Sequence, residues 1–137
     1  MQDYRRLRVW KHANDLAVGT RKTTRTFPRT GYRELRDQII RAAESIPFNI
    51  AEGCGAATQK EFARYLDIAI KSSCELESQL KLAKDYEILR EKDWNALADD
   101  TVDARRMLCG LRKKVLAPLD NPLRCPSHGE KTVNGKR

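Results

Sequence analysis

Apolar residues recur along most of this chain at alternating spacings of three and four, the period of a helix with one buried face. The first such row is Leu7, Trp10, Ala13, Ala17, Thr20, Thr24 and Phe27, and it predicts a helix of about twenty residues. Residues 1–6 are polar and lead into it, and Phe27-Pro28-Arg29-Thr30-Gly31 ends it. A second row, Leu35, Ile39, Ala42, Ile46 and Ile50, predicts a helix over 32–51 with Pro47 inside it. An interior proline removes one backbone hydrogen bond and crowds the turn before it, which costs about 3 kcal/mol. Packing or function must repay that cost. Gly53-Cys54-Gly55 reads as the stop, with glycine suited to a left-handed cap.

Thr58-Gln59-Lys60-Glu61 has the form of a capping box. The longest regular row follows it: Phe62, Leu66, Ala69, Ser73, Leu76, Leu80 and Ala83. Steady alternation near 3.5 residues per turn suits a left-handed packed bundle. Tyr65, Ile68, Ile70, Cys74 and Leu82 widen that stripe, as burial against more than one neighbour would require. The fourth row, Leu97, Thr101, Ala104, Leu108, Leu111 and Val115, predicts a helix over 91–116 closed by Ala117-Pro118. Four helices with short links predict an all-α, antiparallel up-down-up-down four-helix bundle over 1–118. Residues 119–137 lack apolar periodicity and read as a polar, disordered tail.

Composition adds a strong charge asymmetry. The 137 residues hold 27 Lys and Arg against 19 Asp and Glu, a net +8. Residues 1–36 alone hold ten basic and three acidic residues. Such a field attracts polyanions. The candidate nucleic-acid-binding residues are Arg5, Arg6, Arg8, Lys11, Arg21, Lys22, Arg25, Arg29, Arg33 and Arg36. Arg21, Lys22 and Arg25 are spaced to share one exposed strip. A second cluster, Arg112-Lys113-Lys114, also suits the negative end of a helix dipole. No zinc finger, helix-turn-helix or RNA-binding sheet motif accompanies these charges, so they do not separate RNA from DNA.

The search for chemistry yields no catalytic residue. Only His12 and His128 are present, and neither has ligand spacing to a cysteine. His-Glu-x-x-His and repeated Glu-x-x-His patterns are absent, and Gly53-Cys54-Gly55-Ala56 lacks the lysine of a phosphate loop. Glu44, Glu52, Glu61, Glu75 and Glu77 fit capping and ion pairing better than acid–base work. The expectation is no metal, no cofactor and no enzyme. Cys54, Cys74, Cys109 and Cys125 form no Cys-x-x-Cys pair, and Cys74 and Cys109 fall at core-like positions. With neither a signal peptide nor a membrane-length apolar run, the expected setting is a reducing cytoplasm away from membranes.

Three blocks carry a family resemblance. The first is Leu7-Arg8-Val9-Trp10 with the later Phe27-Pro28 turn. The hallmark is Gln38, Arg41, Ala42, Ser45, Ile46, Asn49, Ile50, Ala51, Glu52 and Gly53, with Pro47 among them. The third is Glu61-Phe62, Leu66, Ile68-Ala69, Ser72 or Ser73, and Glu75-Leu76-Glu77. Over about residues 7–116 the chain resembles the four-helix-bundle family encoded by intervening sequences in bacterial 23S ribosomal RNA genes, the so-called S23 ribosomal protein family. Where many relatives have an acidic residue before the aromatic of the second helix, this chain has Gly31-Tyr32. The resemblance implies a homopentamer. It also implies kinship with the accessory protein of diversity-generating retroelements, which partners a reverse transcriptase and nucleic acid.

The leading functional expectation is a noncatalytic oligomer that binds RNA or DNA. The alternative is a homo-oligomeric scaffold or an accessory subunit for a nucleic-acid enzyme. Trp10 is a core anchor or a plug into another subunit. The hallmark, with Arg41 and Glu52 about three turns apart, is structural or a partner site, and Asn49 is placed to satisfy backbone loosened by Pro47.

Overall fold

The computed structural model describes residues 2–120, with side chains through residue 118. A 3₁₀ turn at Tyr4–Arg6 leads into α1 (Arg8–Thr24), α2 (Arg33–Cys54), α3 (Gln59–Asp85) and α4 (Glu91–Asp120). The helices pack in a closed ring, α1 on α2, α2 on α3, α3 on α4 and α4 on α1. This is the all-α four-helix bundle that the periodicity predicts. The amide of Gln2 donates to the Cys54 carbonyl at 3.0 Å, which ties the start of the chain to the end of α2. Among the described residues no helix is long and apolar enough to cross a membrane.

The core runs the length of the ring. Ile39, Ile46 and Ile50 of α2, Leu66, Leu76 and Leu80 of α3, and Leu108 of α4 are fully enclosed. On α1 the buried row is Val9, Ala13, Leu16, Thr20 and Thr24. Trp10 and Ala17 therefore lie at the edge of the core, half-buried. The Trp10 ring meets Tyr4 edge-on, with centroids 4.8 Å apart. The buried threonine hydroxyls are satisfied within their own helices: Thr20 donates to the Leu16 carbonyl at 2.7 Å and Thr101 to the Leu97 carbonyl at 2.6 Å. Such bonds remove the cost of an unpaired buried polar group without demanding a partner helix.

Cys74 and Cys109 are exposed, against the expectation of core positions. Each follows a buried residue, Ser73 or Leu108, and one step along a helix turns a side chain by about 100°. Leu82 also faces outward. Pro118 does not close α4, which runs on to Asp120. A proline deletes one hydrogen bond but keeps a helical φ, so a helix passes through it where the other bonds hold. Residues 119 and 120, expected in the disordered tail, belong to this helix, and the rest of the tail, with Cys125 and His128, lies outside the described residues.

The helix ends explain the turns. Thr58 caps α3 by accepting from the Glu61 amide at 3.0 Å. At the other end of α3, Glu87 takes a left-handed φ of 64°. The Ile88 amide bonds back to the Ala83 carbonyl and the Glu87 amide to that of Lys84. These are the two bonds of a Schellman cap, closed here without glycine. Gly31, at φ 94°, turns the chain between α1 and α2.

Gly53 is not the left-handed stop expected of it. It lies inside α2, and the residue that caps the helix, Gly55, has φ −87°. Gly53 is instead a point of close approach: a Cβ there would lie 2.7 Å from Phe62 Cδ1 and 3.1 Å from Tyr65 Cβ. Phe62 is itself buried, so its ring has little room to retreat. Gly53→Ala is expected to destabilise the bundle by about 1–3 kcal/mol through overpacking. A melting temperature equal to that of the unaltered protein would refute the close-packing role.

Candidate nucleic-acid interface

The ten basic candidates do not form one surface. Arg5, Arg6, Arg8 and Lys11 sit at the start of α1, whereas Arg21, Lys22 and Arg25 sit in and just beyond its last turn. Along the helix axis the nearest members, Lys11 and Arg21, are ten positions or about 15 Å apart. Arg29 lies in the α1–α2 connection, and Arg33 and Arg36 open α2, so they join the second group.

Local partners then divide the groups further. Arg5 pairs with Asp3 at 3.0 Å, Lys11 with Asp15 at 3.8 Å, and Arg21 with Glu44 at 3.0 Å. The Arg5 guanidinium holds the Asp3 carboxyl below its usual range by hydrogen bonding. Arg36 is half-buried and donates to the Pro28 carbonyl at 3.0 Å, so it closes the α1–α2 connection. Lys22, Arg25, Arg29 and Arg33 are exposed and make no salt bridge among the described residues. They form a free cationic cluster at one end of the bundle. Arg112, by contrast, is tied to Asp67 of α3.

Of the polar hallmark residues, Ser45 and Asn49 lie at the contact between α2 and α3. The hydroxyls of Ser45 and Ser72 share a hydrogen bond of 2.8 Å. The Asn49 amide nitrogen donates to the Ser45 carbonyl at 2.8 Å and to its hydroxyl at 2.9 Å. The carbonyl that Pro47 deprives of its donor is that of Ala43, one turn before it. Asn49 thus braces the neighbouring carbonyl rather than the one expected. Pro47 is buried, while Gln38, Arg41 and Glu52 are exposed. Among the described residues neither Arg41 nor Glu52 joins a salt bridge.

Among the described residues no nucleophile meets a base. Ser45 faces Ser72 and Asn49, and burial pushes the Cys54 thiol up from its ordinary value. Glu44 and Glu77 pair with Arg21 and Arg105. His12 Nε2 lies 3.0 Å from the Asp100 carbonyl oxygen. Ligand atoms of His12, Asp100 and Asp103 come within 4.8 Å of one another. Sequence spacing did not reveal this group, because it spans α1 and α4.

One outward residue also escaped the sequence reading. Phe48 is 64% exposed and Val18 48% exposed, and both line a shallow cleft of about 240 Å³ between α1 and α2. The signal was present, since Phe48 falls off the row of Ile39, Ile46 and Ile50.

These features define a class: an antiparallel four-helix bundle with exposed cations gathered at one end and Ser45 and Asn49 engaged where α2 meets α3. The family model of the 23S rRNA-intervening sequence protein matches residues 5–110, and the chain belongs to that family. A solved structure from Bacteroides thetaiotaomicron VPI-5482, a protein of unknown function from the S23 ribosomal protein family, has the same fold. The two superpose with a TM-score of 0.67 at 23% identity, over 77% of this chain and 95% of that one. No curated protein matches the chain.

The cysteines offer a check on the geometry around this surface. A thiol reagent on the native protein is expected to label Cys74 and Cys109, with Cys54 labelled only after unfolding, because it is buried and its thiolate is disfavoured. Peptide mapping that finds Cys54 modified as fast as Cys74 would contradict this packing.

Proposed function

We propose that the protein is a noncatalytic, self-associating nucleic-acid-binding protein whose first ligand is RNA. The carrying observation is the cluster of Lys22, Arg25, Arg29 and Arg33, four exposed cations without a salt bridge among the described residues. Exposed lysines and arginines supply the salt-dependent contacts to phosphates. The family takes its name from intervening sequences of 23S rRNA, which makes structured RNA the polyanion to test before DNA. In this reading the ion-paired Arg5, Lys11 and Arg21, and the loop-closing Arg36, contribute less than their charge suggests.

Binding of the mass-verified protein to structured RNA and matched DNA across a salt series tests the reading. Affinity is expected to fall steeply with salt. Lys22→Glu with Arg25→Glu should lower it and reduce the magnitude of the logarithmic salt slope by about 1.5, two contacts' worth. An unchanged slope in a folded variant, or no binding at low salt, refutes the assignment.

A second reading, a scaffold of identical copies that recruits a nucleic-acid enzyme such as a reverse transcriptase, has its own support. Leu82 and Tyr86 are 41% and 52% exposed at the end of α3, and the Tyr86 ring lies 5.9 Å from that of Tyr32. A large apolar group left in water suits a protein contact. Leu82→Lys is expected to lower the mass in solution, with five copies as the starting number. An unaltered mass would remove this patch from assembly.

A further inference from the structure

Phe48 stands alone. On the outer face of α2 its neighbours at helical spacing are Asp37, Arg41, Glu44 and Glu52. On α1, Val18 shares its outer face with Lys11, Asn14, Lys22 and Arg25. A docked helix or a second copy needs apolar anchors at i, i+4 and i+7, and neither helix supplies such a row here. The cleft holds one exposed aromatic ring, Phe48, a floor of Ala17 and Pro47 with Val18 beside it, and cations along the α1 side only. The carboxylate on the α2 side, Glu44, is already paired with Arg21.

That combination matches a flat apolar group attached to a negatively charged chain. Single-stranded nucleic acid is recognised in this way, by aromatic side chains that stack on bases and cations that follow the backbone. We propose that the α1–α2 cleft stacks one unpaired base of single-stranded RNA on Phe48, with the flanking phosphates on Lys22 and Arg25. The proposal rests on the RNA-binding reading and adds to it a strandedness and a contact. Asn14 lines the same cleft and makes no side-chain hydrogen bond among the described residues, so its amide is free to meet a base edge. The acidic face of α2 keeps the backbone on the α1 side. A duplex presents phosphates but no unstacked base, so it gains nothing from Phe48.

The test compares Phe48→Ala, Phe48→Trp and the Lys22→Glu, Arg25→Glu variant. The probes are a short labelled oligouridylate and the same strand annealed to oligoadenylate. Phe48 is mostly exposed, so its replacement leaves the core untouched, and thermal melts verify this. Phe48→Ala is expected to weaken single-strand binding about ten-fold with the salt slope and duplex affinity unchanged. Phe48→Trp is expected to restore it. The double charge variant instead flattens the slope. Salt-dependent binding that is indifferent to Phe48→Ala overturns the stacking site and leaves RNA binding standing. A Phe48→Ala variant that loses mass in solution overturns it in favour of a contact between copies. An unaltered protein that binds neither probe overturns both readings.

Discussion

The seam between α2 and α3 is the constraint from which the other arrangements follow. It closes at one end because Gly53 presents no Cβ to Phe62 and Tyr65. Further along, one hydrogen bond from Ser45 to Ser72 crosses it, with Asn49 bracing Ser45 from within α2, among buried Ile46, Ile50, Leu66 and Leu76. Apolar packing tolerates small shifts in register, whereas a hydrogen bond of fixed length does not. The polar contact therefore adds a directional restraint to the burial of Ile39, Ile46 and Ile50 in fixing how far α2 is turned about its own axis. That rotation buries Pro47 and points Phe48 outward, and it places Glu44 within reach of Arg21.

Much of this was legible in the sequence because helices announce themselves by period. The four rows of apolar residues located the helices to within a few residues, and Thr58 marked the start of α3 as expected. The errors share a cause. Cys74 and Cys109 were assigned inward from their neighbours, and on α1 the row was drawn through Trp10 and Ala17 instead of Leu16. One position along a helix is a rotation of about 100°, so a stripe read one residue off lands at the edge of the core. Gly53 was read through the local rule for turns, but its role depends on Phe62, a contact no local rule contains. Glu87 closes a cap where glycine was the signal to look for.

The candidate surface was less legible than the fold. Net charge identified the basic third of the chain, but it could not tell an available cation from an engaged one. Arg21, Arg36 and Lys22 look alike in sequence. In the folded chain one pairs with Glu44, one holds the Pro28 carbonyl and one is exposed with no salt-bridge partner among the described residues. Helix packing creates these distinctions, since each bond joins segments distant in the chain. The same packing divides ten candidates between two ends of α1.

The bond from Arg36 to the Pro28 carbonyl has a consequence for how the cations meet a ligand. It pins the connection that carries Arg29 to the first turn of α2, beside Arg33. Buried Phe27 anchors the other side of that connection to the core. The backbone that bears these positive groups is therefore ordered before any polyanion arrives. A floppy loop would have to surrender its freedom on contact, at an entropic cost set against affinity. Here folding has already met that cost, so in the RNA-binding reading proposed above the attraction of the cluster would go into holding the ligand rather than into arranging the protein.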